Sequence, residues 1–124
     1  MEKPHKRLHA WSASLDLAVV VYGTTDTFPK REQYGLADQM RRCVLSVPSN
    51  IAEGAARQSK KEFLHFLYIA KGSLSELDTQ AELAKQLDYL SAAVWTELDS
   101  RMTTIDKMLS GLIQHVKSSA KGKG

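Results

Sequence analysis

Glu62 and His65 place a carboxylate and an imidazole three residues apart, and of all the spacings in this chain this one best fits a metal-binding pattern. Helical residues at i and i+3 share a face, and di-iron bundles place such a pair on each of two helices. The pair occurs once here, and the remaining apolar stripes supply no second set of inward carboxylates. Glu62 also suits a helix cap. The spacing is therefore weak evidence for a metal site.

Other residue types with catalytic potential lack the neighbours that their chemistry needs. His5 and His9 are spaced i, i+4 in a charged segment beside a proline, and His115 stands alone. No serine lies in a Gly-x-Ser-x-Gly elbow, and Gly72 and Gly111 are isolated rather than part of a phosphate loop. The sequence predicts no catalytic residue, no metal and no cofactor, and hence a protein that is not an enzyme.

Basic side chains offer a different chemistry, contact with phosphate. The net charge is +3, but residues 8–116 hold 11 basic and 13 acidic residues, so the excess lies at the two termini. Within that body, residues 30–71 hold eight basic residues against four acids, and residues 76–106 hold seven acids against two bases. This asymmetry predicts one positive and one negative end, and the alternative is ordinary solvated helix faces. The candidate phosphate contacts are Arg41, Arg42, Arg57, Lys60, Lys61 and Lys71.

A helix-corner-helix is predicted around residues 46–63. A proline inside a helical pattern should bend the helix, a glycine should end it, and Ser59 with Glu62 should form a capping box for the next one. Glu53 can pair with Arg57 or Lys61. The structural residues of this corner are Pro48, Asn50, Glu53, Gly54, Ser59 and Glu62.

Apolar residues recur every three to four positions in four segments, which predicts four helices and no strand. The stripes are Leu8, Trp11, Leu15, Ala18 and Tyr22; Leu36, Met40, Cys43, Val44, Val47 and Ile51; Phe63, Leu67, Ala70, Leu74, Leu77, Ala81 and Ala84; and Val94, Leu98, Met102, Ile105, Leu109, Leu112 and Val116. The first helix should end before Gly23, and a tight connection at 87–90 should precede a cap at Ser91. Short connections predict an all-α, antiparallel up-down four-helix bundle in a single domain. Residues 1–7 form a charged arm, 8–117 the bundle and 118–124 a disordered basic tail.

Composition is that of an ordinary globular domain. The chain has 124 residues, 43% of them hydrophobic and 25% charged, and no apolar run approaches the ~20 residues needed to span a bilayer. The N-terminal segment is too polar for a signal peptide, so we expect a cytoplasmic protein. Cys43 is the single cysteine and falls on an apolar stripe, which predicts a buried small hydrophobe.

The first and third predicted helices carry more apolar surface than the core of one bundle can bury. A bundle helix normally buries one stripe, and an all-round apolar stretch implies burial on a second side. Local bundle geometry is one way to cover such residues, and an interface between copies of the chain is the favoured one. The predicted interface residues are Val20, Val21, Leu64, Tyr68 and Ile69.

The chain resembles the bacterial "four helix bundle protein" family, first noticed as reading frames in intervening sequences of large-subunit ribosomal RNA genes. The resemblance rests on Phe28-Pro29, Tyr34-Gly35-Leu36, Gln39-Met40-Arg41-Arg42, the corner from Ser46 to Gly54, and Gly72-Ser73-Leu74-Ser75-Glu76-Leu77. It implies ring-shaped homopentamers. Relatives include accessory variability proteins of diversity-generating retroelements, which bind nucleic acid and a reverse transcriptase, although this chain lacks their strongly basic body.

The sequence therefore supports a hypothesis about a scaffold. The leading hypothesis is an adaptor that forms a homo-oligomer, expected to be a pentamer. Its basic end would bind the backbone of RNA or DNA. In the alternative, a purely structural homo-oligomer binds an acidic or apolar protein partner and has no nucleic-acid role. Neither reading involves a membrane.

Overall fold

The computed structural model describes residues 1–119, and all the regular elements within them are helical. Two short 3-10 turns, Pro4–Arg7 and Lys30–Glu32, precede the first and second α-helices. The four α-helices are α1 (His9–Thr25), α2 (Leu36–Ala55), α3 (Lys60–Gln86) and α4 (Ala92–Ser119).

Each helix packs against the next in sequence, and α1 also packs against α4. Because the connections are short, successive helices run antiparallel, and the predicted up-down four-helix bundle is confirmed. One end of the bundle, called the connection end, carries the segments 26–35 and 87–91. The other, called the corner end, carries residues 1–8, the corner 56–59 and the last turn of α4. Ser118 and Ser119 belong to α4, and the rest of the predicted tail, 120–124, lies outside the described residues.

The apolar stripes of α2, α3 and α4 are buried largely as predicted. The exceptions are Leu36, Phe63, Val94 and Leu112, which are only partly buried, and Ile113, which replaces Leu112 in the core. The connection between α3 and α4 also has the predicted form. Asp88 adopts a left-handed conformation with φ 63°, and the Ser91 hydroxyl accepts from the Val94 amide at 3.1 Å.

The register of α1 was predicted wrongly. Its core face consists of Ala10, Ser14, Leu17, Ala18, Val21 and Thr25. Leu15 and Tyr22 are 37% and 42% exposed. Apolar residues fall on both sides of this helix, so spacing alone does not select the inward side. The helix also continues through Gly23 to Thr25 instead of ending before the glycine.

Arg41 fastens the start of α2 to the end of α1. Its Nε donates to Thr25 Oγ1 at 2.9 Å, and its Nη2 donates to Gln33 Oε1 at 2.9 Å and to Asp26 Oδ1 at 3.3 Å. The guanidinium also lies over the ring of Tyr22, 5.9 Å from its centre. Because these partners already use the donors on Nε and Nη2 and the side chain is only 19% exposed, Arg41 is a structural tether.

Cys43 is buried on the α2 side of the contact with α3, as predicted. Its thiol donates to the carbonyl oxygen of Ser73, with Sγ 3.1 Å from that oxygen. Burial, with a smaller contribution from the charge of Glu76, raises the pKa of the thiol to about 11. The sulfur is therefore protonated at neutral pH and unreactive.

The corner is built differently from the prediction at Gly54. Helix α2 is continuous through Pro48, and Asn50 Nδ2 donates to the Ser46 carbonyl at 2.7 Å. Gly54 is a helical residue rather than a cap. A Cβ added there would lie 2.8 Å from Phe66 Cβ, so the glycine serves a close crossing of α2 and α3.

The remaining corner contacts follow the prediction more closely. Glu53 pairs with Arg57 at 2.6 Å, and the Glu62 amide donates to Ser59 Oγ at 3.0 Å. The second half of the capping box is replaced by a side-chain contact, in which the Ser59 hydroxyl donates to Glu62 Oε1 at 3.1 Å. Ser59 thus caps α3 as expected.

Glu32 joins the two segments of the connection end. One carboxylate oxygen accepts from the Leu36 amide at 3.1 Å, capping α2, and the other accepts from the Tyr89 hydroxyl at 3.0 Å. The Leu36 amide, followed by the Tyr89 hydroxyl, lowers the pKa of Glu32 below its ordinary value.

The close crossing predicts opposite effects at two glycines. Gly54→Ala should destabilise the protein by about 1–3 kcal/mol, because its Cβ meets Phe66 and the backbone of Phe63. Gly72→Ala, at an exposed helical position with nothing within 4 Å, should stabilise it by about 0.5–1 kcal/mol. Urea unfolding monitored by circular dichroism measures both. Equal effects at the two sites would contradict the crossing.

Glu32 predicts a pH-dependent contribution to stability. Because its pKa is lowered on folding, that contribution is present above the ordinary carboxyl pKa and is lost as pH falls through the lowered value. Glu32→Gln should therefore be less stable than the wild type at pH 7, with the gap closing towards pH 3, in urea titrations at several pH values. Asp16→Asn, which removes a carboxylate with no hydrogen bond among residues 1–119, is the control and should show no such convergence.

Candidate functional site

The antiparallel topology separates the predicted phosphate contacts into groups that lie far apart. Arg41 and Arg42 stand near the start of α2, and Arg57 follows its end. At 1.5 Å per residue, the part of α2 from Arg42 to its end at Ala55 is about 20 Å long, so these side chains form no common patch. Arg42 is exposed and pairs with Asp38 at 2.9 Å, and Arg41 is the tether described above.

Lys71 belongs to neither end. It lies in the middle of α3 and crosses to α4, where Nζ donates to Asp106 Oδ1 at 3.0 Å and to Ser110 Oγ at 2.8 Å. Its geometry is that of a tie between two helices. Of the six predicted contacts, the structure brings together three: Arg57, Lys60 and Lys61.

The corner end gathers cations from three separate parts of the sequence. The ranges 1–9, 53–65 and 112–119 meet there and hold seven Lys and Arg against three Glu. The basic residues of this end are Lys3, Lys6, Arg7, Arg57, Lys60, Lys61 and Lys117. The corner end therefore has an excess of basic residues, but only three of them come from the predicted range 30–71. The connection end is mixed, because the basic residues near the start of α2 lie there among acids.

Each cation of the corner has a distinct setting. Arg57 pairs with Glu53 and covers the ring of Phe66, with 5.1 Å between its Cζ and the ring centre. Lys60 Nζ donates at 3.0 Å to the carbonyl of Lys117 in the last turn of α4. Lys61 is exposed and makes no ion pair or hydrogen bond among residues 1–119. Lys61 is thus free to meet a ligand, as are the exposed Lys3, Lys6 and Arg7.

Aromatic rings accompany these cations, which sequence reasoning missed. The ring of Tyr68 is 48% exposed, and Lys117 Nζ lies 5.7 Å from its centre. Phe63 and Phe66 are half-buried. The sequence could have indicated the exposure of Tyr68. Adjacent residues of a helix point in different directions, so Tyr68 faces away from the core that its neighbour Leu67 enters.

The residues predicted to join copies of the chain are distributed unevenly. Val21 is fully buried in the core of its own chain, so it offers no surface to a second copy. Val20 and Leu64 are half-buried, and Tyr68 and Ile69 are 48% and 38% exposed. Val21 differs from the other four because the register of α1 places it on the inward face of that helix.

Another group of exposed apolar side chains lies on α1 and α2. Leu15, Val19 and Tyr22 follow each other at helical spacing, and Val19 is 73% exposed. The contact of Arg41 with Tyr22 shows that this side of α1 faces α2, where Leu45 is 41% exposed. These four residues are called the α1–α2 face. A cluster of exposed apolar side chains on adjacent helices is typical of an interaction surface.

The described residues hold neither a metal-binding cluster nor a helix suited to a membrane. Residues 1–119 contain no group of three or more His, Cys, Asp or Glu side chains placed to hold a metal ion, and Glu62 and His65 are both exposed. Among the helices of the same residues, none has the length and apolar character to cross a bilayer.

Comparison with known proteins identifies the fold family. No curated protein matches the chain. A crystal structure of a protein of unknown function from the S23 ribosomal protein family of Bacteroides thetaiotaomicron is similar, with a TM-score of 0.79, 24% identity, and coverage of 85% of this chain and 95% of that one. The family model described as 23S rRNA-intervening sequence protein matches residues 6–111. The chain belongs to the 23S rRNA-intervening sequence protein family.

Proposed function

We propose that this protein is a non-enzymatic, oligomeric scaffold whose corner end binds the phosphate backbone of RNA or DNA. The observation that carries the proposal is the convergence of cations from the N-terminal turn, the α2–α3 corner and the end of α4. Phosphate contacts supply most of the affinity of sequence-independent nucleic-acid binding.

The positive field at this end comes from side chains rather than from helix dipoles. Two helices begin at the corner end and two end there, so their dipoles largely cancel. At the C-terminus of α4, Lys60 donates a hydrogen bond to a backbone carbonyl. Binding should therefore depend on the individual Lys and Arg residues and weaken with salt.

Tyr68 favours single strands within this proposal. An exposed ring beside a lysine is an arrangement on which a base can stack, and stacking of this kind tolerates any sequence. The backbone charge would supply affinity and the ring a preference for unpaired bases.

Removing three corner cations should weaken nucleic-acid binding. For Arg57→Gln/Lys60→Gln/Lys61→Gln, we expect the slope of log K against log salt to fall by about 2–3, because each lost phosphate contact contributes about 0.7–0.9. Fluorescence anisotropy with a labelled oligonucleotide at about 50–200 mM salt measures it.

The matched control removes three exposed cations from the connection end, as Lys30→Gln/Arg31→Gln/Arg42→Gln. Both triple variants change the net charge equally. If both weaken binding alike, only net charge matters and the corner is not a site. If the wild type shows no salt-dependent binding, the alternative of a structural oligomer with a protein partner is favoured.

Self-association would multiply the effect of a modest cationic end. Linked copies bind a long polyanion with much higher avidity than one copy does, provided that all the ends can reach it. The α1–α2 face offers apolar area for the contact between copies, and the family resemblance implies five of them.

Charges placed on the α1–α2 face should disrupt the oligomer. Val19→Lys/Leu45→Lys should lower the mass measured by light scattering, because burying two unpaired ammonium groups is costly. Leu83→Lys, which changes a comparably exposed leucine on α3, is the control and should leave the mass unchanged. A wild-type monomer at micromolar concentration would contradict self-association.

A further inference from the structure

A groove with a volume of about 900 Å³ opens at the corner end. Its floor is apolar and is formed by Leu8, Phe63, Leu112 and Val116. Its rim is cationic or polar and includes Arg57, Lys60, Lys61 and His115. Among residues 1–119, no Asp or Glu lines it.

A smaller groove of about 240 Å³ continues the same track between the start of α1 and α4. The two grooves share Leu8 and Leu112, and the second is lined in addition by Arg7, His9, Ala10 and Met108. It too lacks acidic lining residues among those described. Together they form an apolar track with basic groups along its edge.

This combination matches one class of ligand. A nucleic-acid backbone would use the rim and leave the apolar floor wet, and a neutral apolar molecule would leave the cations without a partner. Small-molecule sites are mostly apolar clefts of about 300–1,000 Å³ with a few converging polar groups, as this groove is. A single acyl chain with an anionic head group satisfies both the floor and the rim.

We propose that the corner groove binds a single-chain amphiphile with an anionic head, of the fatty-acid class. The chain lies along Leu8, Phe63 and Leu112, and the head group meets Lys61 and its basic neighbours. This site goes beyond the proposed function and does not depend on it, because it uses the apolar floor that backbone recognition leaves out.

Isothermal titration with decanoate, below the concentration at which it forms micelles, tests the proposal. Decanoate should bind, and decanol and decyltrimethylammonium should bind at least about tenfold more weakly, because they lack the charge that the rim complements. Affinity should rise about two- to fourfold for each methylene from octanoate to dodecanoate, the upper figure corresponding to full burial. Decyl phosphate, tested in parallel, shows whether carboxylate or phosphate is the preferred head.

Two variants separate the floor from the rim. Leu8 stands at the uncapped N-terminus of α1, so Leu8→Asn supplies a favourable cap while making the floor polar, and the fold should be retained. It should weaken decanoate binding at least about threefold and leave oligonucleotide binding unchanged. Lys61→Glu should weaken decanoate at least about fivefold, whereas Lys107→Glu, on α4 outside both grooves, should not.

Two results would overturn the proposal. One is decanol binding as tightly as decanoate, which would indicate an apolar patch without head-group recognition. The other is Leu8→Asn binding decanoate as the wild type does while Lys61→Glu binds it weakly, which would indicate surface charge without a groove.

Discussion

The close crossing of α2 and α3 at Gly54 is the constraint on which the corner end depends. Hydrogen in place of a side chain lets Phe66 and the backbone of Phe63 approach the last turn of α2. The first turn of α3 is thereby held against α2, and Ser59 caps it immediately after a short connection. Arg57, Lys60 and Lys61 are therefore carried at or beside a packed helix junction, whereas the other corner cations come from the N-terminal turn and from α4.

Most of the fold could be predicted from periodicity, and the failures have physical causes. In helices α2, α3 and α4, apolar residues recur every three to four positions and form one main stripe, so the inward face of each helix is evident from the spacing. Helix α1 does not, since Leu15, Val19 and Tyr22 lie opposite a face that contains Ser14 and Thr25. A glycine near a helix end predicts a cap, but the same residue also permits a close crossing, and only the partner helix distinguishes the two.

The candidate site was harder to predict because charge that is contiguous in sequence is not contiguous in space. The basic residues from 30 to 71 occupy both ends and the middle of the bundle. Lys117 and Arg7 lie far from the corner in sequence and reach it only through the up-down topology. The role of Arg41 was equally hidden, because its tether to Thr25 spans sixteen positions and no local pattern records it.

The buried thiol at Cys43 has a practical consequence for studying assembly. With its sulfur shielded by two helices and held in the neutral form, the native cysteine should remain silent towards maleimide reagents in the folded protein. A second cysteine placed on the surface could then carry a spin label or fluorophore by itself. Distances between labels on neighbouring copies would report the symmetry of the assembly without any need to remove the natural residue.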